Sequence, residues 1–178
     1  MITSQGAAYI TDLSDKVRRE QRQKKMMEAA QPQDYQELID LMRTRKVLEC
    51  ETARMAAIRA NSSNIKALER TISRHEMCLE NHSDPTAPAF DFHSKVAEAS
   101  NIRFLIASLE ILVHEELDLS SQFMEITKER SAYYAQHHRR IAEAIKRGDP
   151  DEAENQMRIH MDAMIDDLLK LIKNAEIK

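Results

Sequence analysis

The stretch His138-Arg139-Arg140-Ile141-Ala142-Glu143-Ala144-Ile145-Lys146-Arg147-Gly148-Asp149-Pro150-Asp151-Glu152 holds the end of one helix and the start of the next. Ile141 and Ile145 lie one turn apart, and Tyr134 and His138 extend the same face backwards at helical spacing. Gly148 suits the left-handed residue that closes a helix. Asp149 offers an N-cap, Pro150 fits a first helical position, and Asp151 and Glu152 favour the positive end of the helix dipole.

The same punctuation recurs on either side. A helical pattern covers about 34–60 and ends at Asn61-Ser62-Ser63-Asn64, whose short polar side chains cap a second helix over about 64–81. Asp84-Pro85 and Pro88 mark a turn and a fresh start for a helix of about 88–100. An apolar-periodic stretch follows from Ile102 to about Ile126, then a helix over about 130–147, and a last one from Pro150 to about 173. The expected fold is all-α, an antiparallel bundle of six to seven helices.

The N-terminus reads differently. Residues 1–11 are short, apolar and partly β-prone, and Asp12 to Ala30 forms a polar helical stretch with six basic residues between Lys16 and Lys25. Asp12, Asp15, Glu20 and Glu28 dilute that charge, so the stretch reads as a solvated linker helix, broken at Gln31-Pro32-Gln33. The expected organisation is residues 1–33 as an N-terminal segment with a linker, and 34–178 as the bundle.

Composition narrows the function. A chain of 178 residues suits one domain that buries roughly 70% of its unfolded surface. Its two glycines, Gly6 and Gly148, lie at opposite ends, which excludes a phosphate-cradling loop and a G-x-S-x-G nucleophile elbow. A net charge of −4 argues against this chain alone gripping nucleic acid. Cys50 and Cys78 are too few for a disulfide framework and suit a reducing cytosol, hence a cytoplasmic protein. Charges interrupt every apolar run too soon for a membrane span.

Several polar residues sit on apolar stripes. Leu41, Arg45, Leu48, Thr52 and Met55 share the spacing of a bundle seam, with Glu49 one turn beyond Arg45. A guanidinium there needs an anionic partner, either Glu49 or something from outside the chain. His93 shares a face with Ala89, Val96, Ala97 and Ser100; His138 with Tyr134, Ile141 and Ile145; His160 with Met157, Met161, Met164 and Leu168. Three imidazoles central to three apolar stripes need a shared partner, and neutral imidazole is the commonest metal ligand. If they hold a metal, their nitrogens should lie about 3–4 Å apart, as ligands at roughly 2.1 Å from one ion would. His75, His82, His114 and His137 fall on more polar faces or helix ends and read as surface. Glu-x-x-His and zincin spacings are absent, and neither cysteine has a partner at ligand spacing.

Four segments in order resemble the FadR C-terminal (FCD) domain, the effector-binding half of the FadR branch of GntR transcriptional regulators, over about residues 34–172. They are Arg45-Lys46-Val47-Leu48-Glu49 with Ala53-Arg54-Met55-Ala56-Ala57; Phe92-His93-Ser94-Lys95-Val96-Ala97-Glu98-Ala99-Ser100; His138 through Asp149; and Ala153 through Met157-Arg158-Ile159-His160. The resemblance implies a divalent metal, zinc or nickel, held by His93, His138 and His160, with Arg45 binding the carboxylate of a small effector. It further implies a homodimer, no catalysis, and DNA contact only through a winged helix-turn-helix that does not precede these residues. Gln5-Gly6-Ala7-Ala8-Tyr9-Ile10 resembles the end of the wing hairpin of such a domain.

Two positions depart from the family pattern. The family aspartate, one turn before the first histidine, is Ala89 here, and Asp91 lies roughly 160° round the helix from His93. The usual A-S-G-N reads Ala99-Ser100-Asn101-Ile102. Two other functions stay open on the sequence, a metal-dependent enzyme acting on a small carboxylate and a metal-free helical interaction domain.

Overall fold

The computed structural model describes residues 4–29, 31–113 and 121–176. Two units are compact in themselves, Met1–Gln31 and Pro32–Lys178. The first contains one helix, α1 (Ser4–Ala29). Residues 5–10, expected to resemble the end of a wing hairpin, are therefore helical. A strand would need a partner for its backbone groups, none exists among the described residues, and a helix satisfies those groups within the segment.

The second unit is built of α2 (Tyr35–Arg59), α3 (Ser62–Glu80), α4 (Thr86–Ser100), α5 (Arg103–Leu112), α6 (Ser121–Glu129), α7 (Ser131–Arg147) and α8 (Pro150–Glu176). Its boundaries follow the capping chemistry. The Asp34 carboxylate accepts from the Glu37 N–H at 2.8 Å and opens α2. Asn61 accepts from Ser63 and Asn64, while the Asn64 side chain accepts from the Asn61 N–H, a reciprocal cap that starts α3 two residues earlier than expected. Gly148 closes α7 at φ 66°, and the Asp149 carboxylate accepts from the Glu152 N–H at 3.1 Å to open α8. Asn101 closes α4 at φ 56°. That is a left-handed conformation, which asparagine tolerates better than most residues. The apolar-periodic stretch expected from Ile102 to about Ile126 holds α5 and most of α6, and α5 ends where the backbone leaves the helical region at Val113 (ψ 65°). Residues 114–120, His114 included, lie outside the described residues.

Five helices pack in cyclic order, α2 on α4, α4 on α3, α3 on α7, α7 on α8, and α8 back on α2. Ala53 and Ala56 of α2 and Ala153 of α8 are fully buried, so methyl-sized side chains admit close approach of these helices. Leu38, Met42, Leu68, Phe92, Ile141, Met157, Met161 and Leu168 fill the centre. No helix among the described residues is long and apolar enough to cross a membrane.

Candidate metal centre

Each helix of the ring sends at least one ionisable side chain inward. Arg45 and Glu49 come from α2, His75 from α3, His93 from α4, His138 from α7 and His160 from α8, and all are buried. His93, His138 and His160 each offer a ring nitrogen such that the three lie within 4.8 Å of one another. That bound is looser than the spacing of about 3–4 Å expected of all three. The His93 and His160 Nε2 atoms, 3.3 Å apart, fall within the expected spacing and also within hydrogen-bond reach of each other. The His138 ring centroid lies 4.7 Å from that of His160 and 5.2 Å from that of His93, and its ring stacks on Phe92 at 4.2 Å with planes 15° apart, a contact that fixes its orientation.

Glu49 organises the near side of this cluster. One carboxylate oxygen accepts from Arg45 Nε at 2.9 Å and the other accepts from His93 Nδ1. Burial alone would raise the Glu49 pKa, but the His93 and Arg45 charges and the His93 hydrogen bond outweigh that and hold it at about 2. A carboxylate only accepts, so a His93 proton sits on Nδ1, and Nε2 is the ring nitrogen that meets His160. Arg45 therefore has the partner its seam position demanded, and that partner is Glu49. Its Nη2 lies 2.9 Å from the same Glu49 oxygen without hydrogen-bond alignment, and this buried donor makes no hydrogen bond.

The donor chemistry fits a divalent metal. Burial, then repulsion from His160 and His93, keeps His138 neutral well below the usual imidazole range; burial and His93 do the same for His160. Both nitrogens of His138 and Nδ1 of His160 lack a hydrogen-bond partner. Unpaired buried nitrogens are costly, and neutral imidazole lone pairs facing one centre are what zinc or nickel binds. Ala89 brings no carboxylate, and Asp91 turns to Arg74 at 3.1 Å.

A cavity of about 60 Å³ adjoins the cluster. Arg45, His93, His138 and His160 form part of its wall, Ala89 opens onto it, and Leu38, Met42, Phe90 and Met164 supply an apolar side. That volume admits several water-sized groups.

Two histidines read as surface are buried, a correction to the sequence reading. His75 bonds Ser131 Oγ at 2.6 Å, and His137 packs on Tyr133 with ring centroids 4.3 Å apart. Leu68, Thr71, Ile72 and His75 form a helical stripe, the signal that would have placed His75 inside. α7 is buried over much of its circumference, which takes in His137 beside His138. His82 is exposed, as expected, at a left-handed turn (φ 54°).

Residues 40–163 match the FCD domain family. No curated protein matches the chain. Among solved structures, the chain is similar to a Streptococcus agalactiae GntR protein, with TM-score 0.62 and 21% identity over 75% of this chain and 60% of that one. It thus spans 60% of that relative's length, and the likeness is one of fold.

Proposed function

The chain belongs to the FCD domain family, and from that premise we propose that it senses a small carboxylate for a GntR-type transcriptional regulator, through a divalent metal held by His93, His138 and His160. The observation that carries this is the meeting of three buried imidazoles, with both nitrogens of His138 and Nδ1 of His160 lacking a hydrogen-bond partner, at the wall of a cavity that Arg45 also lines.

The residues divide the work. Glu49 holds the His93 proton on Nδ1 and keeps the Arg45 guanidinium in place on α2. A bound zinc or nickel ion would supply a Lewis-acidic positive charge for a carboxylate oxygen. Three neutral imidazoles do not compensate that charge, since Ala89 stands where the family has aspartate, and an anionic ligand does. Arg45 adds Nη2, which lies beside the Glu49 carboxylate without a hydrogen bond to it. In this reading ligand binding repacks the helices around the cavity and shifts a population between two dimer geometries, which alters the spacing of attached winged helix-turn-helix domains. Catalysis forms no part of the role.

The test is calorimetric titration of small mono- and dicarboxylates into zinc-loaded protein, with metal content measured in each variant. Arg45→Ala is expected to weaken the binding acid about tenfold or more while Glu49 and the metal remain. Equal affinity in wild type and Arg45→Ala would remove Arg45 from the ligand site. Acid binding that persists undiminished in metal-free His160→Ala would remove the metal from it.

A further inference from the structure

The His75–Ser131 pair, from α3 and α7, is a second polar feature of the cavity wall. His75 is 1% exposed and Ser131 3%, and both line the cavity. The His75 ring lies against His138, with centroids 5.5 Å apart, and its Nε2 meets Ser131 Oγ at 2.6 Å. The other ring nitrogen, Nδ1, is buried without a hydrogen-bond partner. A serine hydroxyl has one hydrogen and two lone pairs, so one bond to His75 leaves Ser131 able to donate or to accept, according to the tautomer of His75. Such a pair suits an oxygen of either kind.

We propose that His75 and Ser131 form a second anchor, which holds a hydroxyl or carbonyl oxygen at the far end of a ligand whose carboxylate lies at the three-histidine centre. The inference rests on the reading of that centre as a carboxylate site. The His75 ring lies 5.5 Å, centroid to centroid, from His138 and is not one of the three whose nitrogens converge, so a ligand that reaches both places carries its second oxygen several bonds along the chain from the carboxylate. Leu38, Met42, Phe90 and Met164 line the cavity and match methylene groups between the two polar ends. The ligand is a short acid with an ω-hydroxyl or ω-carbonyl group.

The experiment compares butyrate with 4-hydroxybutyrate by calorimetric titration of zinc-loaded wild-type protein, Ser131→Ala and Ser131→Cys. Wild type is expected to favour 4-hydroxybutyrate by about 3- to 10-fold, the worth of one added hydrogen bond. Ser131→Ala should abolish that preference and leave butyrate affinity unchanged. Ser131→Cys, nearly isosteric and a weak hydrogen-bonding group, gives the same answer should the alanine variant fold poorly. A preference that survives in both variants, or butyrate binding in wild type with no preference for the hydroxy acid, would overturn the anchor and leave the carboxylate site standing. Failure of both acids to bind wild type, or their binding unaffected by His160→Ala, would overturn the carboxylate site and the anchor with it.

Discussion

Two buried carboxylates in the bundle are held by the same kinds of partner and do different things. Asp167 of α8 meets Arg130 Nε at 2.8 Å, Lys170 at 3.2 Å and the Tyr134 hydroxyl, which donates to it. Glu49 of α2 meets Arg45 and His93. Around Asp167 the cations lead outward, with the Arg130 and Lys170 side chains 38% and 68% exposed. Around Glu49 everything leads inward, to an arginine 5% exposed and an imidazole beside His138, whose two ring nitrogens lack a hydrogen-bond partner. The first is a clamp between the start of α7 and α8. The second is a support for a site, and the difference lies in where the counter-charges can go when the carboxylate is removed.

That contrast sets the largest expected effect. Glu49→Ala strands a buried guanidinium and should lose about 3–5 kcal/mol in urea unfolding. Asp167→Ala should lose about 1–3 kcal/mol, because Arg130 and Lys170 can turn to water. Zinc affinity, measured by competition with a chelator, should fall about 10–100-fold in the more conservative Glu49→Gln and stay unchanged in Asp167→Ala. Equal losses of stability and of zinc affinity in the two would erase the distinction.

Metal should stabilise one region through the other. Zinc free at about 100 times its Kd should add about 2.7 kcal/mol to unfolding, with no such gain in His160→Ala and the full gain in His82→Ala. Stabilisation retained in His160→Ala would place the ion elsewhere.

The contrast between what was readable and what was not has the same origin. The helices and their ends follow from local chemistry, Asn61, Gly148 and Asp149 above all, so they are visible one segment at a time. His93, His138 and His160 are visible because each lies on an apolar stripe of its own helix. The second bond of Glu49 joins residues 44 positions apart and leaves no local trace, since the i,i+4 pairing with Arg45 already accounts for it. His137 was hidden because α7 packs on several neighbours, so its buried face is wider than one stripe. Residues 5–10 are helical against expectation because an apolar, β-prone composition favours a strand only when another strand is there to pair with it.

A smaller effect concerns pH. Burial depresses the His138 and His160 pKa values below the ordinary 6.5, so the unfolded chain takes up protons that the folded one refuses. Stability of the metal-free protein should therefore be full above pH 6.5 and decline as pH falls below it, with Glu49 adding to the loss only near and below pH 4.5. A His138→Gln variant should show a shallower decline between pH 6.5 and 5 in thermal melts. An unchanged slope would mean that His138 is not held neutral by burial.

The most direct measurement is an anomalous difference map, collected at the zinc edge, from crystals of the protein equilibrated with zinc. The account requires one strong peak at roughly 2.1 Å from a nitrogen of each of His93, His138 and His160. A map with no peak among those three rings, or with the ion bound at other residues, would contradict it.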